Sequence, residues 1–232
     1  MKCASEGFSP VGRGLRELFF CLALIIIFTG CSSPTLKDDI VKPEYSSAEP
    51  PADSGILAEL ADGITAEHGE EYSGFRILDS NYSGLYWRLA LIDSAVSSLD
   101  IQTYLWYPDF SGRMLLERVV LAAQRGVKVR LIVDDLILQG HDQLIANMQA
   151  QPNIEFRLFN PWKDRSSNVS RVGQFIAEME RLNTRMHDKL LIADGRAAVV
   201  GGRNIGDHYF GLSNAYNFHD TDLLGIGPVS YT

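Results

Sequence analysis

The segment RMHDKLLIADGRAAVVGGRN, residues 185–204, contains side chains that could bind and attack a phosphate ester. His187 and Lys189 are separated by one residue, so on a β-strand they share a face. A neutral imidazole can act as a nucleophile, and a lysine ammonium can hold anionic oxygens. The two groups repel each other when both are charged, and an anion between them removes that repulsion. The pair therefore indicates a phosphate site.

The dipeptide Asp194-Gly195 lies between two apolar runs that are rich in β-forming residues, which predicts a β-hairpin. A hairpin explains these two residues and their apolar neighbours without any function. It does not explain His187, Lys189 or Asn204.

The second arm of this hairpin ends in Gly201, Gly202, Arg203 and Asn204. Glycines allow a backbone to approach a ligand closely, and an asparagine amide carries two N–H donors. We therefore expect Gly201, Gly202 and Asn204 to bind the phosphate group.

The complete pattern is His-x-Lys, four residues, Asp, six residues and Gly-x-x-Asn, and it resembles the signature of the phospholipase D superfamily. The matching positions are His187, Lys189, Asp194, Gly201 and Asn204. Longer phrases over residues 74–228, such as VGGRNIGDHYFG, resemble bacterial cardiolipin synthases of the C type. Most superfamily members carry serine where this chain has Gly202.

This resemblance implies a phosphatidyl transferase or phospholipase D-type phosphodiesterase that acts on phosphatidylglycerol-like phospholipids. His187 would attack phosphorus and form a phospho-histidine, while Lys189 and Asn204 would hold the non-bridging oxygens. The resemblance implies neither a metal ion nor an organic cofactor. Whether water or an alcohol attacks the intermediate stays open, and so do a nuclease-like activity and an inactive fragment.

The sequence leaves the roles of two aspartates open. The motif groups Asp194 with His187 and Lys189 as catalytic, but its odd spacing from Lys189 favours a structural role in the turn. In the segment HDTDLLGIGP, the resemblance places Asp222 as the carboxylate that orients the histidine ring. Asp220 lies on the same face of that strand, so the choice between the two stays open.

Helix-like and strand-like patterns alternate from about residue 83 to residue 159. This alternation predicts right-handed crossovers and an α/β domain with a mixed, mostly parallel sheet flanked by helices. The strand at 127–135 is almost continuously apolar, which predicts burial on both of its faces.

The first 30 residues have a basic start, a short apolar core and small residues before Cys31. This pattern resembles a bacterial lipoprotein signal peptide, with lipid attached to Cys31. An uncleaved anchor and a soluble export signal are the alternatives. Residues 31–55 are rich in proline, serine and acidic residues and predict a flexible tether, which leaves 56–232 as the phospholipase D-like domain.

These features predict a lipid-anchored protein of the bacterial cell envelope that faces the periplasm. Ser32 and Ser33 follow the cysteine without an aspartate, which favours the outer membrane. The formal net charge of −8 does not favour a nucleic-acid partner, because neutralisation of phosphates drives that binding.

The superfamily builds one active site from two such motifs, and this sequence contains one His-x-Lys pair. The resemblance therefore implies a truncated domain, the first half of a two-motif enzyme. A second motif would come from a missing C-terminal half or from a homodimer partner.

Overall fold

The computed structural model describes residues 47–138, 140–163 and 168–228, without the side chains of 168–172. These residues all belong to one compact unit. The predicted signal peptide, Cys31 and the first part of the tether, up to residue 46, lie outside the described residues.

Six helices and seven strands make up the described part of the chain, besides a short 3-10 turn at Asp207–Tyr209. The helices are α1 (Ile56–His68), α2 (Asn81–Ser94), α3 (Phe110–Gln124), α4 (Asp142–Gln149), α5 (Asn168–Ala177) and α6 (Met179–Asn183). The strands are β1 (Gly74–Leu78), β2 (Ser98–Thr103), β3 (Lys128–Asp134), β4 (Ile154–Phe159), β5 (Leu190–Ala193), β6 (Ala197–Gly201) and β7 (Asp222–Ile226).

The seven strands form one mixed sheet in the order β1-β7-β6-β5-β2-β3-β4. The expected mixed α/β sheet is confirmed. Parallel pairing is confined to β2–β3 and β3–β4, however, and the other four pairs are antiparallel. The sheet is therefore less parallel than the sequence predicted, because the short turn between β5 and β6 permits only antiparallel pairing.

One face of the sheet is covered by helices, and the hydrophobic core lies there. Its fully buried members include Leu91 of α2, Leu99 of β2, Leu115 of α3, Leu131 of β3 and Val199 of β6.

The opposite face of the sheet is partly open to solvent. Phe75 and Ile77 of β1 are exposed there. Burial also alternates along strand β3. Val129 and Val133 are buried, whereas Arg130, which points to the open face, is only half-buried and pairs with Asp100. The expectation that β3 is buried on both faces was therefore wrong.

The predicted hairpin is confirmed between β5 and β6. Asp194 and Gly195 have φ angles of 57° and 61°, and the Arg196 N–H donates to the Ala193 carbonyl at 3.0 Å. Positive φ at both central residues matches the twist of the two strands, which is why Asp-Gly suits this position.

The end of the predicted tether packs against this hairpin. The Ala52 N–H donates to the Asp194 carbonyl at 2.8 Å, and the Arg196 Nε donates to the Ala52 carbonyl at 2.7 Å. Glu49 pairs with Lys128 of β3. Residues 47–55 are thus part of the folded domain, and the predicted tether boundary at residue 55 was too late.

Gly201 at the end of β6 should not accept a side chain. A Cβ there would lie 2.2 Å from the Asp222 Oδ1 and 2.5 Å from the Asp222 Cα. We expect Gly201→Ala to lower the free energy of unfolding by about 1–3 kcal/mol through overpacking. The control is Gly63→Ala in α1, where a Cβ meets nothing within 4 Å. That change should raise stability by about 0.4–1 kcal/mol. Chemical denaturation of both variants measures these effects, and equal stabilities would contradict the prediction.

Candidate active site

The predicted histidine and lysine lie together just before β5, at the edge of the sheet where β2 and β3 end. The Lys189 Nζ is 3.3 Å from the His187 Nδ1 and donates to the His187 carbonyl at 2.6 Å. The imidazole is exposed, whereas Lys189 is only 7% exposed. The structure therefore places an exposed imidazole next to a largely buried ammonium group.

Tyr104, which follows β2, forms one wall of this site. Its ring centroid is 4.9 Å from that of His187 and 5.4 Å from the Lys189 Nζ, which allows a cation–π contact. Burial lowers the pKa of Lys189, although the charges of Asp188 and Asp220 act in the opposite direction. A cation whose burial is incompletely compensated gains from binding an anion.

Asn204 lies next to this wall, because its Oδ1 accepts the Leu105 N–H at 3.1 Å. A backbone N–H can only donate, so this bond fixes the orientation of the amide. The Nδ2 then donates to the Tyr209 hydroxyl at 2.7 Å. Burial raises the pKa of Tyr209, so the hydroxyl keeps its proton. Among the described residues, the second amide N–H of Asn204 and the Tyr209 O–H have no acceptor, so both can hold anionic oxygens.

The two glycines before Asn204 pack closely against residues 220–222. The Gly201 N–H donates to the Lys189 carbonyl at 3.3 Å, and the Gly202 N–H donates to the Thr221 carbonyl at 3.2 Å. A Cβ on Gly202 would lie 2.5 Å from the Asp220 Oδ1. Their absent side chains make room for residues 220–222, which is a packing reason for both glycines, and their binding of phosphate stays a prediction.

Asp222 is bound to two arginines and not to His187. Its Oδ2 accepts from Arg88 at 2.7 Å and from Arg203 at 3.0 Å, and its Oδ1 accepts the Arg203 N–H at 3.2 Å. Within the described residues it makes no hydrogen bond to His187. Burial alone would raise the pKa of Asp222, but the charge of Arg88 and the arginine hydrogen bonds hold it below its ordinary value. The carboxylate is bound to two guanidinium groups, which corrects its predicted role.

This buried cluster of Arg88, Asp222 and Arg203 also fixes the chain before Asn204. Arg88 donates to the Arg203 carbonyl at 3.4 Å, while Arg203 donates to the carbonyl of Leu78 at the end of β1 at 2.9 Å. Both backbone groups of Arg203 are therefore bound by the cluster. The sequence analysis missed Arg88 and the role of Arg203.

Asp134, at the end of β3, is a second residue whose role was missed. It is fully buried, and it accepts from Arg185 at 2.9 Å and from the Met186 N–H at 3.2 Å. It therefore holds the two residues that precede His187. An acidic residue at the end of an apolar strand was the available signal.

Asp194 lies at the other end of β5, about 16 Å along the strand from Lys189. Its carboxylate accepts the backbone N–H groups of Val96, Ser97 and Ser98, with the shortest bond, from Ser97, at 2.7 Å. Asp194 therefore holds the backbone at the start of β2. It lies too far from His187 and Lys189 to act with them, so grouping it with the catalytic pair was wrong.

The part of the chain that the structure describes contains no cluster of three or more His, Cys, Asp or Glu residues placed to share a metal ion. Across the same residues, no helix is long and apolar enough to cross a membrane.

A family model described as "Cardiolipin synthase, PLD-like domain" matches residues 89–221 of this chain. The chain belongs to this family. The matched segment includes the histidine, the lysine and the asparagine of the site, which confirms the resemblance to the phospholipase D superfamily.

Related proteins support the same assignment. Cardiolipin synthase C of Escherichia coli (strain K12) is 44% identical over 142 residues, which is 61% of this chain and 29% of that protein. An uncharacterized protein of Helicobacter pylori (strain J99) is 33% identical over 214 residues, which is 92% of this chain and 42% of that protein. The chain thus spans less than half the length of these relatives.

A phosphatidylserine synthase from Haemophilus influenzae Rd KW20 has the same fold. It superimposes with a TM-score of 0.50 and 15% identity, and the match covers 67% of this chain and 34% of that one.

We expect Asp222→Asn to lower the free energy of unfolding of this PLD-like domain by about 3–5 kcal/mol, because two buried guanidinium groups lose their counter-charge. The control is Asp93→Asn, which breaks an exposed pair with Arg118 and should change stability by about 0–1 kcal/mol.

The effect of Asp222→Asn should depend on pH. The folded-state pKa of Asp222 is depressed, so its contribution is complete above the unfolded value of about 3.9 and is lost as the pH falls through the lower folded value. Urea unfolding between pH 7 and pH 3 tests this, and a difference between parent and variant that grows with acidity would contradict it.

Proposed function

We propose that this PLD-like domain is a phosphatidyl transferase or phospholipase D-type phosphodiesterase that acts on phosphatidylglycerol-like phospholipids. One observation carries the proposal: the exposed imidazole of His187 lies 3.3 Å from the buried ammonium of Lys189 at an open edge of the sheet. This combination suits attack on a phosphodiester, and the relatives named cardiolipin synthases support the substrate class.

In the proposed reaction, the neutral imidazole of His187 attacks phosphorus and the bond to one alcohol oxygen breaks. Lys189, Asn204 and Tyr209 hold the non-bridging oxygens as negative charge develops. The leaving alkoxide takes a proton from a general acid. An alcohol or water then attacks the phospho-histidine, loses its proton and releases the imidazole.

In this proposal Asp220, and not Asp222, is the carboxylate that orients the ring of His187. Its carboxylate lies beside Gly202, and its charge opposes the lowering of the Lys189 pKa by burial, so it is close to the catalytic pair. A nearby carboxylate stabilises the imidazolium-like charge of the phosphorylated ring. Its half-buried position strengthens that interaction relative to bulk water.

The sequence contains one His-x-Lys pair and so supplies one nucleophile. The proposed mechanism also needs a general acid for the leaving oxygen. We propose that a second motif supplies it, either from a longer form of the protein or from a second copy of this chain.

The chain alone, as a monomer, should therefore be nearly inert towards phosphatidylglycerol. Loss of a positioned acid lowers the rate by about 10² to 10⁴, and each lost oxyanion donor by about 10² to 10³. We expect turnover only where two copies associate or a second half is added. His187→Ala should then abolish both turnover and the alkali-stable, acid-labile labelling by ³²P-phosphatidylglycerol that a phospho-histidine gives, whereas His68→Ala, at an exposed histidine of α1, should not.

Mass in solution and lipid products are measured together for each sample. Cardiolipin as the product indicates a transferase, and phosphatidic acid indicates a hydrolase. Activity should survive EDTA. Rapid turnover by a strict monomer would contradict the need for a second motif, and turnover that is unchanged in His187→Ala would exclude the proposed nucleophile.

We also propose that lipid on Cys31 tethers the domain to the cell envelope, facing the periplasm and sorted to the outer membrane. The small residues around Cys31 and the apolar run before it support this. Cells fed an alkyne fatty acid should label the parent protein and Cys21→Ala but not Cys31→Ala. Equal labelling of both cysteine variants would remove the lipidation proposal, and fractionation of the envelope tests the sorting.

A further inference from the structure

An apolar cavity of about 330 Å³ lies between α3, α4 and the sheet, outside the catalytic pair. Its lining is mainly aliphatic and aromatic, and it includes Trp106, Leu116, Leu131, Leu144, Met148 and Phe156. This volume falls in the range of small-molecule sites. It continues as an open groove between α3 and α4. Leu116, Leu144 and Met148 line both the cavity and the groove, and Val120 and Leu121 line the groove alone.

Two side chains that can carry positive charge, Arg113 and His141, are part of this lining. Arg113 is exposed and lines both the cavity and the open groove, so it lies where the two meet. Within the described residues, neither side chain has a hydrogen bond or an ion pair. An apolar cavity with an unpaired cation at its mouth fits an amphiphile that has an aliphatic tail and oxygen atoms at its head.

The cavity and the catalytic pair are at the same edge of the sheet. Trp106 follows the end of β2 by only a few residues, and Tyr104, two residues earlier, contacts the His187 ring. Trp106 also forms a β-bridge with Ile205, the neighbour of Asn204. One wall of the cavity is thus continuous with the segments that hold the phosphate site.

We propose that this cavity binds one acyl chain of the phospholipid whose phosphate reaches His187. The inference rests on the proposed function, because it names the part of the lipid that orients the phosphodiester. The sparse polar groups of the lining disfavour a sugar or a nucleotide, which would leave buried donors and acceptors unpaired. Each methylene buried in the cavity raises affinity about fourfold. Arg113 donates to the ester or phosphate oxygens at the head of the chain.

The test uses the complete chain in phosphatidylcholine nanodiscs that contain phosphatidylglycerol with a photoreactive diazirine at the end of one acyl chain. After illumination, mass spectrometry locates the attached lipid. We expect attachment to residues of α3 and α4 around the cavity. Leu144→Glu, which places a charge in the lining, should reduce it at least tenfold. Leu60→Glu, at an exposed leucine of α1, should leave it unchanged.

Two further comparisons test the proposal even if Leu144→Glu fails to fold. Arg113→Gln should weaken attachment several-fold relative to Arg118→Gln, an exposed arginine on the same helix that pairs with Asp93. In the parent protein, a dipalmitoyl lipid should compete with the probe far better than a dihexanoyl lipid. Equal competition by the two lipids, or attachment mapped away from the cavity, would overturn the proposal.

These results separate the two proposals. One outcome is attachment at the cavity without any lipid turnover, even when two copies associate or a second half is added. It would support the acyl site and exclude the proposed activity. The opposite outcome is turnover that depends on His187, without attachment at the cavity and without a preference for long acyl chains. It would support the proposed activity and exclude the acyl site.

Discussion

The buried contact of one carboxylate with two guanidinium groups is the interaction on which the site depends most. Asp222, Arg88 and Arg203 are 1%, 4% and 0% exposed, and they join segments that are distant in sequence. Two guanidinium groups and one carboxylate leave a net positive charge next to the backbone of Arg203, the residue before Asn204. Fixed charge of this sign in a region of low dielectric favours an anionic ligand before any ligand contact is made.

The mixed direction of the strands explains how the site is assembled. Strand β5 runs opposite to β2, so the beginning of β5 meets the end of β2. His187 and Lys189 therefore lie beside Tyr104, although more than 80 residues separate them in sequence. The end of β6 and the beginning of β7 reach the same edge. A wholly parallel sheet would have placed the histidine segment at the opposite edge.

The sequence was informative where structure is local. Strand period brought His187 next to Lys189, and Asp-Gly indicated the hairpin. It was less informative where a distant partner decides the role, as for Asp222, whose arginine partners are 134 and 19 residues away. Arg88 offered a signal that was missed, because a charged residue on the apolar stripe of Leu85 and Leu89 needs a buried partner.

The Asp-Gly turn between β5 and β6 has a consequence for the electrostatics of the site. It fixes the strand register, and successive side chains of a strand point to opposite faces. Asp188 faces Gln102, while Lys189 faces the helix-covered side. A slip of one residue would bring a carboxylate to the place of the ammonium. A turn about 16 Å away thus decides whether the site attracts or repels a phosphate.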